Sequence, residues 1–538
     1  MSTPSMKYIV SLAALVAGAA SQNTFEPTDF NITEALLDNG VDVSALPDLA
    51  PLADRALISG CSAACSSLKL IFGDDKVETQ KETAFTSFLN TYWSNQQREI
   101  TPQCVFKPGK ALDVSTAILV ARLTQCPFAA KSGGHSAVPG GSNADGGITI
   151  SFEKLGKISL AADKQTVALQ PGHTWYEVYS ALEKDGVTVI GGRAGSVGVG
   201  GLTLGGGISY FSGQYGLACD NVFNYELVTA SGLIINVSEN SYPDLYWALR
   251  GGGNNFGIVT EFKVRAVPQG QMWGGRRIYL ESAFPALIEA YYNLGMNAKK
   301  DNKAHQILSF TANGGMAIAS LAVEYADPNP NATIFTEYNA IPGAILDETA
   351  VQSLAQRAKS LDETATLPGF RQAFWTLTVK LDKDLATTIK DIFFEERESI
   401  ADAANLVAAI SFQVITEPIL KKTVVRGGNA LGLSAADGPL TNLLIALIWS
   451  DKADDTRINQ FAERVKNRGI AAAKAKGKDV SYLYMNYASP WQDPVASYGA
   501  ANKARLQRVS KKYDPTGVFE KLQPGYFKLN GAPKSGSP

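Results

Sequence analysis

Histidine, methionine and cysteine are scarce in this chain of 538 residues, with 3, 6 and 5 copies. The three histidines, His135, His173 and His305, are too few and too scattered for a histidine-rich metal cluster, so no metal is expected. An excess of either charge is lacking too: 49 Lys and Arg against 51 Asp and Glu leave a net charge of −2. With no Lys/Arg cluster on that balance, nucleic acid and anionic membranes are poor partners. Beyond the first 21 residues no apolar run is long enough to span a bilayer, so no membrane anchor is expected. Glycine is the exception. The 49 glycines concentrate between 133 and 257, which reads as loop chemistry rather than low complexity. A hydrophobic content of 45% with 19% charged residues is that of a globular protein, and the length asks for two folding units.

The N-terminus reads as export. Lys7 precedes an apolar run from Tyr8 to Ala20 that closes on Ala17-Gly18-Ala19-Ala20-Ser21, so residues 1–21 are read as a signal peptide and the protein as secreted. Sequons at Asn31, Asn236 and Asn331 fit a secreted glycoprotein. In an oxidising compartment Cys61, Cys65, Cys104 and Cys126 can form two disulfides that staple the N-terminal segment to the adjoining domain. Three pairings are open. Zinc is the rival reading, thinly supported by so few histidines. Cys219 reads as a buried small hydrophobe.

Residues 22 to about 60 are polar with scattered prolines and read as a loosely structured lead-in. Strands are expected at Phe128-Ala129-Ala130, Ile148-Thr149-Ile150 and Thr166–Leu169, and two more around Ser231-Gly232. Helices are expected around Ile118–Leu123 and at Trp175–Glu183, where Trp175, Val178, Tyr179 and Leu182 recur at spacings of three and four. From about 271 the texture changes. Phe284–Leu294, Leu381–Ala408 and Asp454–Ala473 read as amphipathic helices, among strands at Ile307–Ala312, Ala317–Tyr325, Ala409–Thr416 and Leu443–Trp449. Without strict βαβ alternation, an antiparallel sheet covered by helices on one face is predicted. Tyr482–Tyr487 reads as a strand and Ala500–Tyr513 as a final helix, and the tail after Asn530 is expected to be mobile.

Two glycine-rich loops carry the chemistry. Lys131-Ser132-Gly133-Gly134-His135-Ser136 follows a strand, and Val197-Gly198-Val199-Gly200-Gly201 leads on to Gly205-Gly206-Gly207. A dinucleotide fingerprint is not formed, because Thr203 stands where the third glycine of Gly-x-Gly-x-x-Gly belongs, and a Walker A loop is absent. What remains is backbone amides converging on a pyrophosphate from two loops. A neutral imidazole is a good nucleophile, so His135 beside a flavin ring is a candidate covalent tether. His173 reads as structural, and His305 has no supporting neighbours in sequence.

These loops, with Tyr215-Gly216-Leu217-Ala218-Cys219-Asp220, Trp247–Thr260, Tyr484-Met485-Asn486-Tyr487 and Gln523–Lys528, resemble the FAD-linked oxidases of the vanillyl-alcohol oxidase and berberine-bridge-enzyme group, particularly fungal secreted members. The likeness runs from about 61 to 530. It implies an α+β fold: a bilobal FAD-binding domain of the PCMH type with an inserted substrate domain built on an antiparallel sheet covered by helices. The expected divisions are a signal at 1–21, a disulfide-stapled segment at 22–97, the FAD domain at 98–269, the substrate domain at 270–480, a C-terminal segment completing the FAD domain at 481–530, and the tail at 531–538. By the same resemblance His135 carries the covalent bond to FAD. Lys131, Ser132, Gly133, Gly134 and Ser136 form one wall for the pyrophosphate, and Ser196, Val197, Gly200 and Gly201 the other. Ile258 and Val259 approach the adenine, and Asn486 contacts the flavin region.

Many relatives hold the flavin by a second bond to a cysteine three residues before the valine of the second loop. Here that position is Ala194, so attachment through His135 alone is expected. Hydride removal from a carbon bearing a heteroatom needs a base. The candidates are Tyr484 and Tyr487, whose strand alternation sends them to opposite faces, with Gln413 as a weaker pocket residue. The resemblance implies oxidation of a small organic molecule in secondary metabolism, with molecular oxygen reduced to hydrogen peroxide. A carbohydrate oxidase of the same fold, or a dehydrogenase using another acceptor, stays open.

Overall fold

Three sheets carry the chain, each drawn from a continuous stretch of it. The computed structural model describes residues 24–538 except 54–59, 314 and 366; the expected signal peptide lies outside the described residues. The first sheet holds β1 (Val77–Thr79), β2 (Cys104–Phe106), β3 (Phe128–Lys131) and β4 (Ile148–Ser151) in the order β1-β2-β4-β3, with β2 and β3 both parallel to β4. The helix Ala111–Thr124 makes the crossover between β2 and β3 and is buried along almost its whole length. That is why it reads apolar on every face rather than on one stripe.

The second sheet is antiparallel, with β5 (Ile158–Leu160), β6 (Thr166–Leu169), β7 (Val187–Val189), β8 (Val222–Val228), β9 (Ile234–Ser238) and β10 (Ile258–Pro268). Its order is β5-β6-β10-β8-β9, with β7 also on β10. The helix Ala500–Tyr513, which Val518–Lys521 follows as a last short helix, returns to this sheet's core. Leu506 and Tyr513 are buried with Leu245 and Trp247, and Tyr513 donates to Asp244 at 2.8 Å.

The third sheet takes the middle of the chain: β11 (Met272–Leu280), β12 (Ala304–Asn313), β13 (Met316–Tyr325), β14 (Ala344–Asp347), β15 (Ala350–Gln352), β16 (Arg371–Lys380), β17 (Val407–Ile415), β18 (Leu440–Trp449) and β19 (Asp479–Val480). It runs β14-β11-β13-β12-β17-β18-β16-β19, antiparallel, with β15 also on β11. Strand alternation splits its side chains. Phe310, Ile410, Phe412, Ile445 and Trp375 lie in a core beneath the helices Phe284–Asn297, Lys383–Arg397 and Asp455–Ala475. The neighbours Ser309, Ser411, Leu444 and Phe374 face the other way, into a cavity. This is the α+β architecture and helix-covered antiparallel sheet expected from the sequence.

Three local expectations change. The helix read over Leu381–Ala408 ends at Arg397, and Asn405, at φ 54°, turns the chain into β17. Asparagine tolerates the left-handed region better than other side chains, which lets the turn form. Residues 481–484 form no strand, and Met485–Tyr487 is a 3₁₀ turn. In the described part of the lead-in, Asn31 caps the helix Ile32–Asp38, and Leu36, Val41 and Val43 enter the core that also holds Cys65, Cys104 and Cys126. The disulfides are Cys61–Cys126 and Cys65–Cys104, and Cys219 is free and buried. In the tail, Lys534 N donates to Pro490 O at 2.9 Å and its ammonium sits 4.4 Å from the Trp491 ring. No helix among the described residues is long and apolar enough to cross a membrane.

Candidate active site

The two glycine loops meet each other. A Cβ on Gly133 would lie 2.5 Å from Gly198 N, and one on Gly198 would lie 2.1 Å from Gly133 N, so neither loop tolerates a side chain there. Ser132 locks the contact: its hydroxyl donates to Pro171 O at 2.5 Å and accepts from Gly200 N at 3.2 Å. Gly201, by contrast, has open space where a Cβ would stand and faces the cavity.

His135 hangs from the first loop into a closed environment. Its ring stacks on Trp93 at 4.2 Å and 12°, and Trp93 packs on Phe374 at 5.2 Å. Burial pushes the imidazole down to about 4, so it is neutral through the ordinary pH range. Its Nε2 is buried without a hydrogen-bond partner. Lys131 and Ser196 are placed elsewhere. Lys131 directs its ammonium over Phe88 and Tyr92, at 5.3 and 5.1 Å, and burial lowers it to about 8. Ser196 binds Asp362 through its backbone N at 2.6 Å and its hydroxyl at 2.8 Å. Neither lines the cavity, whereas Ser132, Gly133, Gly134, Ser136, Val197, Gly200, Ile258, Val259 and Asn486 do.

The 3₁₀ turn decides the geometry of the tyrosines. Their rings meet edge to face at 4.8 Å and both line the cavity, so they are not sent to opposite faces of a strand. Tyr484 is buried, and its oxygen accepts from Gly207 N at 3.1 Å, Ile208 N at 3.0 Å and Asn486 Nδ2 at 3.0 Å. Burial holds its hydroxyl well above the usual tyrosine range. Tyr487 differs: its oxygen accepts from Arg193 Nη2 at 2.5 Å and donates to Gln413 Oε1 at 3.3 Å. Arg193 also reaches His305 Nε2 at 3.3 Å. His305 Nδ1 lies 3.0 Å from Glu324 Oε2, and Arg357 Nη2 binds Glu324 Oε1 at 2.6 Å.

A cavity of about 880 Å³ runs from the glycine loops, past His135 and the tyrosines, to the open face of the third sheet. Residues 102–238 match the family profile described as FAD binding domain, and 483–524 match that of berberine and berberine-like proteins. The FAD-dependent monooxygenase FUP4 of Fusarium proliferatum is 37% identical over 505 residues, covering 89% of this chain and 98% of its own. The chain belongs to the berberine-bridge-enzyme-like family of FAD-linked oxidoreductases. The bifunctional solanapyrone synthase of Alternaria solani is 33% identical, covering 80% of this chain and 82% of its own. In fold, the chain matches the glucooligosaccharide oxidase of Acremonium strictum at TM-score 0.70 and 18% identity, covering 88% of this chain and all (100%) of that one.

The cavity of this FAD-linked oxidoreductase fits its cofactor. The orphaned His135 Nε2 and the side-chain-free meeting of Gly133 and Gly198 leave an imidazole and bare backbone facing a long void. At the Ile258 end, Gln523 lines the cavity with both amide atoms buried and unpartnered, a polar edge for a nucleotide. In the sequence Gln523 stands out only as part of a motif. Trp93 and Arg193 escape a sequence reading because no local pattern marks them. His305 lacks sequence neighbours that would support it, yet its partners, Glu324 and Arg193, are supplied by the fold.

Proposed function

We propose that the protein is a secreted oxidase that removes a hydride from a small organic substrate, with FAD attached through His135 alone. The observation that carries the reading is the Tyr487 hydroxyl, held in the cavity between Arg193 and Gln413 and close to the His135–Trp93–Phe374 stack. What FAD supplies when bound is a two-electron acceptor that dioxygen recharges, with hydrogen peroxide as by-product. As its phenolate, Tyr487 takes the proton from the substrate heteroatom; Arg193 holds the phenolate oxygen, and Gln413 accepts from the hydroxyl that results. Tyr484 and Asn486 shape the turn that carries Tyr487. The neutral, buried imidazole of His135 suits nucleophilic attachment, and Ala194 on the cavity wall supports the absence of a cysteinyl bond. The sequons at Asn31, Asn236 and Asn331 are all exposed, which supports passage through the secretory route. The solanapyrone synthase supports a role in tailoring secondary metabolites.

Oxygen insertion is the second reading, favoured by the names of relatives such as FUP4. Two measurements test the proposal. Acid precipitation of the purified protein should leave flavin on the pellet, and His135→Ala should release it; release from both removes the tether. During turnover, peroxide should equal the oxygen consumed. Oxygen uptake with little peroxide would establish insertion instead, and no uptake a dehydrogenase.

A further inference from the structure

Charges deep in a protein are paired, because an isolated ion out of water carries a large desolvation penalty. Of the arginines lining the cavity, Arg276 pairs with Glu348 at 3.0 Å and Arg357 with Glu324 at 2.6 Å. Arg193 is 8% exposed, yet no carboxylate lies within 4.0 Å of it among the described residues. Before substrate binds, its guanidinium is spent on neutral groups, the Tyr487 hydroxyl and the His305 ring. His305 is kept neutral by burial, against the opposing pull of Glu324, and its Nε2 accepts from Arg193 while Nδ1 donates to Glu324. The Glu324 carboxyl is held below its ordinary value: burial opposes this, and Arg357 and His305 together outweigh it. Asp362 is engaged by Ser196, and Glu363 is exposed at the rim. Among the described residues, this positive charge in the inner cavity is left without a carboxylate counter-ion.

The floor beside it is largely apolar. Ile278, Ile307, Ile318, Leu444 and Phe374 supply apolar surface. The hydroxyls set among them are largely consumed within the sheet: Ser309 and Ser411 bond each other at 2.7 Å, and Thr311 donates to Ala408 O at 2.7 Å. Such a surface offers a polyhydroxylated sugar few partners, and each hydroxyl desolvated without one is penalised.

Resting on the proposed oxidase reading, we infer that Arg193 is the docking point for an anionic oxygen of the substrate, and that the substrate is otherwise an apolar carbon skeleton lying on the open face of the third sheet. The ligand class is a phenol, enol or carboxylic acid of low polarity, not an oligosaccharide. Tyr487 stands beside the docked oxygen, where its hydroxyl reaches the neighbouring carbon substituent that is oxidised.

The test uses the flavin-loaded protein and two probes of one shape, 4-nitrophenol at a pH where it is ionised and its neutral methyl ether, 4-nitroanisole. Dissociation constants are read from flavin difference spectra. The anion should bind roughly tenfold or more tightly than the ether, as a charged hydrogen bond in a desolvated pocket requires. Arg193→Met should abolish the preference, and Arg193→Lys should retain part of it. Equal affinities in the unmodified protein overturn the inference with no variant needed. So does a preference that survives in Arg193→Met; if that variant instead lowers the flavin reduction potential, the missing counter-ion belongs to the cofactor. A colourless unmodified protein defeats the FAD oxidase reading itself, whereas a coloured one without anion preference defeats only this inference.

Discussion

Tyr484 surrenders its oxygen to three N–H donors, while Tyr487 keeps one donor and gives its proton to Gln413. The two positions therefore respond differently to the same change. Tyr487→Phe should retain flavin and lower kcat by about 10²-fold or more, the range for losing a positioned acid–base group. Tyr484→Phe strips the acceptor from two buried backbone amides, at about 1–3 kcal/mol for each left unsatisfied, so thermal denaturation should report a lower Tm. Lys528 makes a pH prediction. Burial lowers its ammonium from 10.5 to about 7, where it donates to Asn254 Oδ1 and Phe519 O. Between those values the unfolded chain binds more protons than the folded one, so stability rises with pH by at most about 1.4 kcal/mol per unit and falls as pH drops toward 7. Denaturant titrations from pH 7 to 10 should show that slope in the wild type and its loss in Lys528→Met.

At the level of elements, the loops and strands with strong local signals lie where their patterns place them. The strands on either side of Ser231-Gly232 and the helix Trp175–Glu183 are examples, since period and turn chemistry are written in a few adjacent residues. The segment Tyr482–Tyr487 defeats the same reasoning. Its alternating aromatics look like strand, but the Tyr484 hydroxyl is drawn onto Gly207 N and Ile208 N, 277 and 276 residues away in sequence, and the chain turns beneath it. The glycine loops were legible as loops, while the reason for their glycines was only half legible. Gly133 and Gly198 are bare because each loop occupies the other's Cβ position. Gly198→Ala should part the loops, and the purified protein should show a lower ratio of flavin to protein absorbance.

Across the whole molecule, the glycine loops rest on the first two sheets and the apolar cavity floor on the third, with Arg193, Tyr487 and helix Leu354–Ala365 holding them together. That helix ties into both: Arg357 binds Glu324 of β13, and Asp362 binds Ser196 of the second glycine loop. Cross-links anchor the N-terminal layer. Cys65–Cys104 closes a loop of 39 residues, and its removal in a Cys65→Ala/Cys104→Ala variant should lower the unfolding free energy by about 4 kcal/mol on the chain-entropy estimate, measurable by guanidinium titration. The sequence alone determined the family resemblance, the glycine loops, the candidacy of His135 and the presence of four pairable cysteines, because each is a local or counted property. The pairing of those cysteines, the separate roles of Tyr484 and Tyr487, and the buried chain from Gln413 through Arg193 to Glu324 were decided by tertiary structure. Arg193 and His305 stand 112 residues apart, and Arg193 and Tyr487 stand 294 apart. Buried polar groups are satisfied by whatever the fold brings within reach, and no short-range pattern records that.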